Sequence, residues 1–204
     1  MLGISSILAM SDLVITAANQ VTEADVRDAR LGSRFGRMDL MSQLALLAVE
    51  PLAAHFDPLP RERIAICLAA QAGSLATDAQ YWSGRDAAGG PSPTLFTYTL
   101  PSAAIGEIAI RHRLTGPNLC LVGEDGDLLM EAAGLLRGGE TDGCVCVLTN
   151  VVSSALSGLI SMPSAANACA VFLRRGGAGQ HQLAEFDRDM EALCANLRRE
   201  NSTK

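Results

Sequence analysis

The sequence predicts a single α/β domain, a mostly parallel mixed sheet covered by helices on both faces. Two observations carry this. Short apolar runs at Ile64 to Leu68, Leu119 to Val122, Cys144 to Leu148 and Cys169 to Leu173 alternate with segments long enough for helices. The 204 residues are 49% hydrophobic but only 4% aromatic, so the core must be built from Ala, Leu, Val and Ile, as in helix-covered sheets. One substantial core is the default at this length.

Taken in order, Leu2 to Ala9 can form a first strand, and the polar stretch after it, through about Ser33, has no clean period. Leu40, Met41, Leu44, Leu47, Ala48 and Leu52 recur at spacings of three and four, which predicts a helix ending near His55 with Pro51 weakening its last turn. Pro58 and Pro60 break the chain before Ile64 to Leu68, an apolar run suited to a strand covered on both faces. A helix around Leu75 to Trp82 leads to the Gly- and Pro-rich link Gly89 to Pro93. The segment Ser102 to Leu114 reads as a helix with Ser102 as N-cap, stopped by Gly116-Pro117. Strand Leu119 to Val122, helix Asp127 to Leu136 and strand Cys144 to Leu148 then make a βαβ unit. A linker from Asn150 to Asn167 precedes strand Cys169 to Leu173. The domain is expected over residues 1–175, with a C-terminal helical tail over 176–204 that becomes helical near His181.

Composition narrows the function. The net charge of −6 disfavours a nucleic-acid surface, which needs clustered, uncompensated Lys and Arg. No run approaches the roughly 18 apolar residues of a membrane span, and Met1 to Met10 has neither a basic start nor a small-residue cleavage site, so a cytoplasmic protein is expected. The six cysteines mostly lie in apolar runs without CxxC spacing and read as reduced core residues. Cys144 and Cys146 share a strand face, but no nearby ligand completes a metal site, and the packed reading is favoured. No metal or cofactor is expected.

Three collinear stretches carry a family resemblance. They are Arg34 to Ala45, Arg61 to Ile66 followed by Ala72 to Asp78, and Tyr98 to Ile110 leading into Leu114-Thr115-Gly116-Pro117-Asn118. Together they resemble the first half of β-ketoacyl-acyl-carrier-protein synthases, which have a thiolase-type fold of two similar halves. The resemblance implies a thiolase-like half-fold, closest to the degenerate ketosynthase-like and chain-length-factor-like proteins found beside polyketide or aryl-polyene pathways.

The same comparison removes the chemistry. In active relatives the nucleophilic cysteine follows the Asn of Gly-Pro-Asn by seven residues, and here that position is Asp125. A carboxylate cannot carry the acyl thioester that a thiolate can. Cys120 falls five residues early, inside a strand, and reads as a buried structural thiol. The histidines of the family's second half have no counterpart, and His55, His112 and His181 read as surface or capping residues. Glu124-Asp125-Gly126-Asp127 lacks Ca²⁺-loop spacing and suits a helix start.

The resemblance therefore implies a non-catalytic accessory protein of fatty-acid or polyketide biosynthesis, a homodimer or a heterodimer with a ketosynthase. Pairing would run through the edge that matches the family's, Leu119, Leu121 and Val122. Arg34, Arg37, Arg61, Arg63, Arg111 and Arg113 could face an acidic acyl carrier protein. The alternative is a small acyltransferase or thioester hydrolase that uses Asp125, Glu124 or a repositioned Cys120, with a carboxylate as general base toward water.

Overall fold

The computed structural model describes residues 12–86, 90–123, 128–176, 181–182, 190 and 192–194. Its strands are β1 (Leu13–Thr22), β2 (Ile64–Ala70), β3 (Asn118–Val122), β4 (Gly143–Val152), β5 (Ala165–Arg175) and β6 (His181–Gln182). Its helices are α1 (Glu23–Asp28), α2 (Leu40–Val49), α3 (Leu75–Ser83), α4 (Pro93–Thr97), α5 (Ser102–His112), α6 (Leu128–Gly138) and α7 (Ser154–Ile160). The strands form one sheet in the order β3-β2-β4-β5-β1-β6.

This is the mixed α/β sheet, helix-covered on both faces, that the sequence predicts. Parallel pairing is confined to β3-β2-β4, in which β2 lies between the two strands of the expected βαβ unit, whereas β4-β5, β5-β1 and β1-β6 are antiparallel. The parallel share is smaller than the alternation suggested, because β4 and β5 face each other from Gly143↔Arg174 to Val152↔Ala165 as a long hairpin. The expected linker from Asn150 to Asn167 is thus mostly ordered structure. Both strands run into it, and between them α7 is capped by Ser153 Oγ, which accepts from Leu156 N at 3.3 Å.

Two apolar layers flank the sheet. Leu44, Leu68, Ile105, Ile108 and Phe172 belong to the layer beneath α2 and α5, whereas Cys67, Leu128, Leu136, Val171 and Leu173 belong to the layer beneath α6. Strand alternation sorts the residues of β2, with Ile64, Ile66 and Leu68 in one layer and Ala65, Cys67 and Ala69 in the other. Every residue of β2 is buried, as its unbroken apolar run requires. Helix α2 is buried on more than the predicted stripe. It packs on both the sheet and α5, so Ala45, Leu46 and Val49 are covered along with Met41, Leu44 and Ala48. The α-helix ends at Val49, earlier than the expected end near His55, and Glu50–His55, with Pro51 near its start, continues as a 3₁₀ turn.

Other expectations are corrected. The strand expected at Leu2 to Ala9 lies outside the described residues, and β1 instead occupies part of the stretch left irregular. Its alternation is broken by a bulge between Ile15 and Ala17, where Thr16 Oγ1 donates to Phe172 O at 3.2 Å. Ser102 is the first residue of α5, with Pro101 at the cap position. His181 belongs to β6, paired with Ile15 of β1, and does not begin a helix. Met190, Leu193 and Cys194 are buried in the layer beneath α6.

Candidate functional site: the β3 edge and its surroundings

Strand β3 is one of the two edge strands of the sheet, paired among the described residues on one side only, to β2 from Ile66↔Asn118 to Ala70↔Val122. The Gly116-Pro117-Asn118 motif places it there. A Cβ on Gly116 would stand 2.3 Å from Ile64 O, so only glycine lets the chain cross this close to β2. Pro117 O accepts from Ile66 N at 3.0 Å and Thr115 N donates to Arg61 O at 3.2 Å, which fixes the register on both sides of the glycine.

Along β3, Cys120 packs toward the α2 and α5 layer and Leu119 and Leu121 toward the α6 layer, each only partly buried. Val122 is 63% exposed. Burial raises the Cys120 thiol above its ordinary pKa, so this cysteine is a poor thiolate. Past the strand, Gly123 N donates to Ala70 O at 3.3 Å. The turn after β2 closes against the same end. Gly73 has φ +56°, and a Cβ there would meet Val122 Cγ1 at 3.2 Å and Pro101 Cγ at 3.6 Å. Gln71 N donates to Asn150 Oδ1 at 3.2 Å, which ties the end of β2 to β4.

Apolar side chains are also exposed on the segments between β2 and α5. Leu100, beside Pro101, is 65% exposed, and Phe96 of α4 and Trp82 of α3 are 60% and 65% exposed. Phe96 packs on Tyr81 at 5.5 Å between ring centroids, which holds α4 against α3, and the Arg85 guanidinium lies 4.4 Å over the Trp82 ring. Below them a buried polar network fixes the α3 turn. Ser74 Oγ donates to Thr99 O at 2.6 Å, and Thr77 Oγ1 donates to Asp39 Oδ2 at 2.7 Å while Asp39 Oδ1 caps α2. Sequence reasoning missed these exposed apolar side chains, because residue type alone does not tell which apolar side chains the fold leaves uncovered.

Glu124 and Asp125 lie outside the described residues. The histidines are elsewhere. His112 ends α5, whose opposite end begins beside Pro101, and its eleven residues separate the two by about 16 Å. Its side chain is only 8% exposed, its ring meets the Phe56 ring edge-on, and burial lowers its pKa. The surface or capping role expected of His112 is therefore corrected to that of a core histidine.

The six arginines divide. Arg34 Nε donates to Glu107 Oε2 at 2.6 Å, Arg61 pairs with Asp57 at 2.7 Å, Arg63 with Asp142 at 2.5 Å and Arg111 with Glu50 at 2.7 Å. Arg37 and Arg113 make no ion pair among the described residues. The cysteines also cluster. Cys67 Sγ stands 3.6 Å from Cys144 Sγ, which is 3.9 Å from Cys146 Sγ, so Cys144 and Cys146 share a face as predicted and a third thiol joins them from β2. The hydrogen bond to Cys144, then burial, raises the Cys67 pKa, and burial raises that of Cys146.

No protein-family model and no curated protein matches the sequence. Solved structures do. The ishigamide ketosynthase/chain length factor matches with TM-score 0.67 and 19% identity over 84% of this chain and 64% of that one. The ketosynthase ApeO in complex with its chain length factor ApeC from Xenorhabdus doucetiae matches with TM-score 0.62 and 17% identity over 82% and 80%. A beta-ketoacyl synthase from Burkholderia phymatum STM815 matches with TM-score 0.59 and 12% identity over 82% and 60%. The chain thus shares the fold of these ketosynthase and chain length factor structures, and it spans less than two thirds of the length of the first.

Proposed function

We propose that this chain, with the fold of ketosynthases and chain length factors, is a non-catalytic accessory subunit of fatty-acid or polyketide-type biosynthesis. It pairs along β3 with an active ketosynthase or with a second copy of itself. The observation that carries this reading is the outer edge of β3, which no other strand pairs among the described residues, with Val122 63% exposed on it. An open strand edge offers unsatisfied backbone donors and acceptors to another strand, and exposed Val122 with partly buried Leu119 and Leu121 supplies the apolar contact that a specific interface concentrates at its centre. Relatives of this fold include a ketosynthase in complex with its chain length factor. A strand added across β3 would continue the sheet from one subunit into the next.

The non-catalytic part rests on Asp125 standing where the resemblance places the nucleophile. A thioester-hydrolysis assay with an acyl carrier protein substrate tests it, comparing the chain with its Asp125→Asn variant. Equal, background rates are expected. Turnover abolished by Asp125→Asn would replace this reading with the hydrolase in which Asp125 is a general base.

A further inference from the structure

Between the loop that precedes α2 and the C-terminal half of α5 lies a half-open cleft of about 300 Å³, the lower end of the size of small-molecule sites. Its apolar wall includes Phe35, Met38 and Leu46, and Ile110, 60% exposed, stands on it as well. Arg34, Arg111 and Arg113 supply its charge together with one carboxylate, Glu107.

The charges do not cancel. Glu107 is satisfied by Arg34, through Nε at 2.6 Å and Nη2 at 3.1 Å, and by the Tyr98 hydroxyl at 3.0 Å. Arg111 is held by Glu50, through Nε at 2.7 Å and Nη2 at 3.3 Å. Arg113 is left as the one guanidinium of the lining without an ion pair among the described residues. Arg113 closes α5 at φ 56° and ψ 36°, a left-handed conformation in which glycine is the unstrained residue. Arginine is therefore strained at this position relative to glycine.

We infer that the cleft between the Phe35 loop and α5 binds a small amphipathic monoanion, a carboxylate on a short alkyl chain, with Arg113 holding the carboxylate and the apolar wall holding the chain. A guanidinium offers a carboxylate two parallel N–H donors, and a partly enclosed wall strengthens that pair relative to open water. One uncompensated positive charge matches one negative charge. The site is separate from the β3 edge and does not depend on the pairing reading, since its lining comes from the segment before α2, from α2 and from α5 with its C-terminal cap.

Calorimetric titration of the full chain with octanoate tests this, with octylamine and octanol as chain-matched controls. Saturable octanoate binding is expected, with neither control binding comparably. Arg113→Gly should weaken octanoate binding about tenfold or more, as expected for loss of a charged hydrogen bond, while Tm stays level or rises because glycine relieves the left-handed backbone. Arg113→Gln, which keeps a side chain there, should also lose binding. Octanoate binding unchanged in both variants, octylamine binding as well as octanoate, or no saturable octanoate binding by the parent chain would each overturn the inference.

Discussion

Gly116 crosses the start of β2 so closely that its missing Cβ would lie 2.3 Å from the Ile64 carbonyl oxygen. The obstacle is backbone inside a fully buried strand, which has no rotamer to yield. Gly116→Ala should therefore displace β3 from β2 and destabilise the chain by about 2 kcal/mol, within the range for overpacking. Urea unfolding measures this directly, and an alanine variant as stable as the parent would refute the close crossing.

Glu107 is nearly buried and takes its countercharge from Arg34, whose own side chain is 56% exposed. Removing Arg34 leaves a buried carboxylate supported by the Tyr98 hydroxyl alone, and that partnership helps to raise the Tyr98 pKa to about 12, after burial as the larger cause. Arg34→Ala should cost about 2 kcal/mol, and Arg111→Ala, whose partner Glu50 is more open to water, about 0.5 kcal/mol. Denaturant titration of the two variants should rank them in that order.

His112 gives a pH dependence with a definite sign. Burial, reinforced by Arg111 and Arg61 and opposed by Glu50, holds its folded pKa below the ordinary 6.5. As pH falls below 6.5, the unfolded chain takes up the proton first, so stability is full above that value and declines beneath it. His112→Gln should flatten the loss of stability between pH 6.5 and about pH 5.5, above the range where ordinary carboxylates titrate. An unchanged slope would mean that another group is responsible.

Much of this was legible in the sequence because it is local. Ile64 to Leu68, Leu119 to Val122 and Cys144 to Leu148 are short apolar runs, and each lies in a strand. Strand β1 was hidden because its partner, β5, lies far along the chain and the bulge at Thr16 breaks the alternation a reader would count. The β4 and β5 extensions were hidden for a related reason. Val151 and Val152 lie in a Ser-rich stretch whose pairing with Ala165 and Ala166 appears only when the hairpin closes. At the candidate site the edge strand could be found from the Gly-Pro-Asn resemblance, but the approach of Val122 and Pro101 to Gly73 is a product of the turns that follow β2 and precede α5.

Cys120 reports on the edge. Cys67, Cys144, Cys146, Cys169 and Cys194 are buried, whereas Cys120 is partly exposed on β3. Under native conditions a thiol reagent should modify Cys120 first, slowly because burial raises its pKa, and Cys120→Ser should remove that phase. Modification of the other five at the same rate would show that the sheet opens locally.

Pairing along β3 is the central claim, and light scattering coupled to size exclusion tests it most directly. The chain and its Val122→Lys variant are run alone and mixed with purified ketosynthase from the same cell. The account predicts a stable two-subunit particle, with the ketosynthase or with a second copy, that dissociates in Val122→Lys while the variant's circular dichroism and Tm stay unchanged, since Val122 is 63% exposed. A chain that remains a monomer with and without the ketosynthase, or a complex that Val122→Lys leaves intact, would contradict it.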